Sequence, residues 1–134
     1  MVRVVAQRRQ GYTHEVEIQG GHRLVIDEPT ESGGGDQGPS PTRTLAAALA
    51  ACTAITIEMY ADRKGWELGD VEVDVEMEYG RSGSPQSFAV TLHLPRALSD
   101  DQAERLREIA AKCPVHRALT GEREVTITDR VELG

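Results

Sequence analysis

Two cysteines, Cys52 and Cys113, are the most reactive nucleophiles in this chain. Cys113 lies in EIAAKCPVHRAL, Glu108 to Leu119, where a helix-like pattern meets Pro114. Proline disfavours the α conformation in the residue before it and is favoured at the first position of a new helix. The spacing therefore predicts that Cys113 leaves one helix and caps a short second one, PVHRAL. A thiolate at a helix N-terminus is stabilised by unpaired backbone N–H groups and by the macrodipole. His116 and Arg117 follow and add positive charge, so the expected result is a lowered thiol pKa at Cys113. Cys52 falls in the middle of a long helical pattern and has no helix terminus to help it. Its activation calls for a cation from elsewhere in the fold or from a second subunit. Arg8, Arg9, Arg23 and Arg43 are the candidates.

Other readings of the same residues stay open. Each cysteine falls on the inner stripe of its helix, where free cysteine commonly serves as a small buried hydrophobe. A zinc site built on Cys52, Cys113 and His116 supplies three ligands where a structural site wants four. No G-x-S-x-G elbow is present for a serine hydrolase. GGGDQG precedes proline and follows no Rossmann-type unit, which argues against a phosphate cradle.

The elements that position these residues read as follows. VRVVAQ, HEVEIQ and HRLVID are short strands, with Gly20-Gly21 as a hairpin turn. Asp27 to Pro41 is a glycine- and proline-rich loop, long enough to be functional or mobile. Thr42 to Lys64 is an alanine-rich helix that is apolar nearly all round. Leu45, Leu49, Cys52, Thr56, Met59 and Tyr60 share one of its faces. VEVDVEMEY alternates strictly, as a half-buried strand does, and FAVTLHL returns beside it. The acidic stripe Glu72, Asp74, Glu76 and Glu78 reads as a solvated face, with no converging His or Cys. Ser99 and Gln102 form a capping box for a helix reaching Cys113, whose apolar stripe is Ala103, Leu106, Ile109, Ala110 and Cys113. REVTITDRV is expected to close the chain as a last strand. The order is β-β-β-α-β-β-α-β, an α+β fold with a mostly antiparallel sheet.

The 134 residues suit one domain. Only one Phe, three Tyr and one Trp are available, so aliphatic residues must fill a lean core. Such a core suggests apolar surface buried by a second copy. The net charge of −7 disfavours nucleic acid and anionic membranes as partners. The start of the chain lacks the apolar core of a signal peptide. The longest near-apolar run, Leu45 to Ile57, is too short to span a bilayer, so a cytoplasmic location is expected.

HRLVIDEP, GGGDQGPSP, LAAALAACTAITIEMYADRKGW and KCPVHRAL resemble, in order and spacing, the OsmC-like proteins. That superfamily includes the organic hydroperoxide resistance proteins. The similarity runs from about His14 to Val131; the Gly-Pro-Ser-Pro and Cys-Pro-Val-His elements look most like the OsmC-like branch. The resemblance implies one domain over residues 1–134 and an intertwined homodimer. Long helices would lie at its centre, with active sites at the subunit interface. It implies thiol-based reduction of organic hydroperoxides, with Cys52 as the peroxidatic thiol and Cys113 as the resolving one. An external dithiol would reduce their disulfide, and no metal or organic cofactor is needed. In the family an arginine stabilises the thiolate and a glutamate after the helix-opening proline holds that arginine. Arg9 best matches the arginine. Thr42 and Arg43 follow Pro41, so the acid is missing there, and Asp27, Glu28 or Asp36 are possible substitutes. That departure motivates a second reading, a non-catalytic dimer binding a small apolar ligand; a redox sensor, with the same disulfide but no fast turnover, is a third.

Overall fold

The computed structural model describes residues 1–134 and is α+β, with antiparallel sheets and one long central helix. Two compact units make up the chain: Met1–Ala47 with Glu76–Phe88, and Ala48–Val75 with Ala89–Gly134.

In the first unit, β1 (Val4–Gln10), β2 (Thr13–Ile18) and β3 (His22–Ile26) form an antiparallel meander. The register aligns Ala6, Val16 and Leu24 across the sheet, and puts Val4 beside Ile18 and His14 beside Ile26. Because side chains alternate, these residues form an apolar face. The opposite face is charged: Glu15 accepts from Arg9 Nε at 3.3 Å and from Arg23 Nη1 at 2.9 Å.

The loop after β3 is held by one buried carboxylate. Asp27 accepts hydrogen bonds from the Thr13 hydroxyl at 2.6 Å and from the backbone N–H groups of Glu28, Gly35 and Gln37. The Thr13 bond contributes most to holding its carboxyl below the usual range. Burial opposes it, and the three backbone donors add to it. A short 3-10 turn, Thr30–Ser32, interrupts the loop. Gly34 and Gly38 pass so close to the Glu28 and Val25 carbonyl oxygens that a Cβ would collide with either.

Helix α1 (Pro41–Lys64) starts where Ser40 Oγ accepts from Arg43 N–H, with Pro41 in the first turn. Its 24 residues are long and apolar enough to cross a membrane by length and composition, more than the run Leu45 to Ile57 suggested. Its buried stripe is Leu49, Thr53, Ile57 and Ala61. The expected face is thus displaced by about one position: Cys52 is half-buried, and Met59 is 59% exposed. A helix apolar on all sides carries no periodicity to fix which stripe turns inward.

The second unit has its core in Ile57, Ala61, Leu68, Leu106, Ile109 and Ala110, with Trp66, Val71, Leu92 and Leu98 packed around them. Gly65, at φ 72°, ends α1. Strands β4 (Glu72–Tyr79) and β5 (Pro85–His93) pair as a hairpin that turns at Gly80–Ser84. Helix α2 (Asp100–Ala110) has the expected capping box, with Gln102 N–H donating to Ser99 Oγ and Ser99 N–H to Gln102 Oε1. Helix α3 (Pro114–Thr120) follows.

The expected last strand is not formed within the chain. Residues 123–131 lie outside any regular element, with Val125 61%, Ile127 84% and Val131 82% exposed. A strand exists only against a hydrogen-bonding neighbour, and no strand of this chain pairs with the segment.

Leu106 is fully buried at the centre of the second unit's core. Leu106→Ala should cost about 2–5 kcal/mol of unfolding free energy by urea denaturation. A loss below about 1 kcal/mol would contradict this placement of the core.

Candidate functional site

The chain bends at Cys113 for a local reason. Pro114 has no N–H to continue α2 and instead opens α3. Cys113 is the N-cap of α3, with Arg117 N–H donating to its carbonyl at 3.0 Å. Its Sγ accepts from His116 N–H at 3.4 Å. The cap predicted from the Cys-Pro junction is therefore present.

The expected electrostatic consequence is reversed. Cys113 is fully buried, and burial is the largest influence on its thiol, pushing the pKa up. The Cys52 thiol beside it pushes the same way, both as a hydrogen-bond partner and by its charge. The His116 and Val115 backbone N–H groups pull down but do not win. A thiolate in a low-dielectric site loses more hydration than a single helical turn of donors returns.

Cys52 comes from the middle of α1 and Cys113 from the α2–α3 junction, and the fold sets them side by side. Both are free thiols in this structure. A small cavity of about 160 Å³ adjoins the junction, lined by Thr53, Val90, Leu92, Arg107, Ala110 and His116 among others. His116 Nδ1 is buried without a hydrogen-bond partner, and Arg117 Nε is 3.8 Å from a Glu122 carboxylate oxygen. The donors of Cys52, Cys113 and His116 do not gather into a ligand cluster. The group that does so is Glu72, Asp74 and His93. This corrects the view that no histidine converges on the acidic stripe.

The remaining candidates lie in the first unit. Arg9 is half-exposed and paired with Glu15. Arg23 shares that glutamate, and Arg8 Nε donates to Gly11 O. Glu15, across the sheet from β1, was missed by the sequence reading. Its only signal there is its place on the polar side of an alternating strand. Of the acids proposed as substitutes, Asp27 is committed to its loop. Thr42, where the family acid would stand, shares a 2.7 Å hydrogen bond with the Tyr79 hydroxyl. The apolar face of the same sheet opens into a cavity of about 570 Å³, lined in part by Ala6, Tyr12, His14, Val16 and Ile26.

The model of the OsmC-like protein family matches residues 33–128. Protein YhfA of Escherichia coli strain K12 is 28% identical over 128 residues, 92% of each chain. The crystal structure of an organic hydroperoxide resistance protein OsmC from Legionella pneumophila superposes with a TM-score of 0.66. It is 27% identical and covers 90% of each chain. The OsmC like protein from Mycoplasma pneumoniae superposes at 0.77 with 16% identity, covering 90% of this chain and 88% of its own, a likeness of fold. The chain belongs to the OsmC-like protein family.

Cys113 should stay protonated to higher pH than an ordinary thiol, whose pKa is about 8.5. Its alkylation rate, followed by peptide mass spectrometry, should therefore rise only above that range. Cys52→Ser should move the profile to lower pH by removing one cause of the shift. The proton is held more tightly in the folded state, so this contribution to stability is present below the unfolded pKa and lost as pH rises through the folded one. A Cys113 profile at or below that of a free thiol would contradict the assignment.

Proposed function

We propose that residues 1–134 form one domain of a soluble, cytoplasmic, homodimeric peroxidase that reduces organic hydroperoxides with a cysteine pair. The observation that carries this reading is the side-by-side placement of Cys52 and Cys113, one half-buried and the other fully buried with a raised pKa. Membership of the OsmC-like family supports a redox role, and the Legionella relative supplies the substrate class by analogy.

In this mechanism the Cys52 thiolate attacks the terminal oxygen of R–O–O–H. The O–O bond breaks, Cys52 becomes a sulfenic acid, and the alkoxide leaves and takes up a proton as R–O–H. Cys113 then attacks the Cys52 sulfur. The S–S bond forms, the S–OH bond breaks, and hydroxide leaves with the Cys113 proton as water. A dithiol reduces the disulfide by two exchange steps and is itself oxidised to a disulfide. The raised pKa of Cys113 fits the second role, because a protonated thiol does not compete for the peroxide. Once Cys52 has become a sulfenic acid it no longer carries a charge, which removes one of the lesser causes of the raised Cys113 pKa while burial, the largest, remains.

Arg9 is the cation for the Cys52 thiolate in this scheme, presented at the dimer interface. Glu15 takes the part of the family acid missing after Pro41, since it holds the Arg9 guanidinium. Dimerisation would cover the exposed apolar residues Ile55 and Met59 on α1, and Val4 and Leu24 on the sheet. It would also offer the 123–131 segment a strand to pair with.

A second reading rests on the 570 Å³ apolar cavity of the first unit. There the same dimer would bind a small apolar ligand without turnover, or act as a sensor whose disulfide forms once per signal.

Purified protein supplied with a dithiol should consume cumene or tert-butyl hydroperoxide at steady state. Cys52→Ser should abolish this, and Arg9→Gln should lower kcat/KM by about a hundredfold, as loss of a charge-stabilising donor does elsewhere. Wild type and Cys52→Ser being equally inert towards several peroxides would overturn the peroxidase reading. Disulfide formation without steady turnover would favour the sensor.

A further inference from the structure

The outer face of the β4–β5 ribbon gathers acids without bases. Glu72, Asp74, Glu76 and Glu78 are the exposed acids along β4, and the exposed positions of β5 are Gln86, Ser87, Ala89, Thr91 and His93. No lysine or arginine stands among them. The ion pairs of the molecule use Glu15, Glu104, Glu108, Glu122 and Glu132, so no cationic side chain is paired with this face. Like charges along one face of a strand repel one another.

Three of these groups converge. Glu72 and Asp74 are two residues apart on one face of β4, and β5 brings His93 beside them. Their two carboxylates and the imidazole all lie within 4.8 Å of one another.

We propose that Glu72, Asp74 and His93 form a binding site for a divalent cation of borderline hardness, with Zn²⁺ the best match. One imidazole nitrogen and two carboxylate oxygens suit zinc, cobalt or nickel, whereas calcium and magnesium favour all-oxygen sets with more ligands. Zinc bonds of about 2.0–2.2 Å put tetrahedral donors about 3.4 Å apart, so rotamer shifts of about 1 Å close the site. All three side chains are exposed and free to make them. The bound cation would keep a water in its fourth position. It would also neutralise two of the repelling carboxylates and cross-link the ribbon at the end remote from the Gly80–Ser84 turn. The site contains no cysteine and does not depend on the proposed peroxidase activity.

Cobalt(II) titration of the reduced, whole chain tests the site, because cobalt distinguishes thiolate from nitrogen and oxygen ligands. One cobalt per chain is expected, with visible d–d bands, no near-ultraviolet thiolate-to-cobalt band, and displacement by zinc. His93→Ala should weaken binding at least about tenfold, since loss even of an outer-sphere partner costs 10–100-fold. Asp74→Asn should weaken it too. Zinc should raise the melting temperature of the wild type in a concentration-dependent way, but not that of His93→Ala, whose metal-free melting temperature should match the wild type. Absence of saturable uptake, a thiolate band at the tight site, or unchanged affinity in His93→Ala would each overturn the proposal.

Discussion

Helix α2 ends at Ala110, the Lys112 and Cys113 N–H groups close tight turns on Ile109 and Ala110, and Pro114, which has no N–H to donate, opens α3. At that turn Cys113 alone is buried, while Ala111, Lys112 and Pro114 are exposed. Leu106, Ile109 and Ala110 pack the last turns of α2 into the core. Cys113 then caps α3 with both its carbonyl and its sulfur. That sulfur has no exposure to solvent and lies beside Cys52 from the middle of α1. The pairing of two thiols thus follows from where one helix stops and the next begins.

The same burial divides the labour between the sulfurs. A helix N-terminus favours a thiolate, and removal from water disfavours it. At Cys113 the second effect is the larger. In the first unit, too, buried polar chemistry sets the local structure. One carboxylate, Asp27, replaces the water that a loop of about fifteen residues would otherwise need for its N–H groups. Here the balance goes the other way, because direct donors outweigh the cost of burial and the carboxyl stays ionised.

Much of this was legible in the sequence where the signal is local. The alternation of β4, the Ser99–Gln102 box and the Cys-Pro cap each depend on residues within a few positions, and each is present. What failed depends on partners distant in sequence. The inner stripe of α1 is displaced because an all-round apolar helix has no periodicity to read. The direction of the Cys113 shift turns on burial and on Cys52, and neither is visible in KCPVHRAL. Residues 123–131 have a strand's composition but no neighbour within the chain. His93 converges on Glu72 and Asp74 only through the pairing of β4 with β5, so the acidic stripe read alone looked like a solvated face.

Whether the two sulfurs act as one redox unit is tested most directly by mass spectrometry of the reduced protein after one equivalent of cumene hydroperoxide, without external dithiol. Loss of two hydrogens per chain is predicted, with a peptide map linking Cys52 to Cys113. Cys113→Ser should instead gain one oxygen at Cys52. An unchanged wild-type mass, or oxygen added at Cys113 while Cys52 stays reduced, would contradict the pairing and its division of roles.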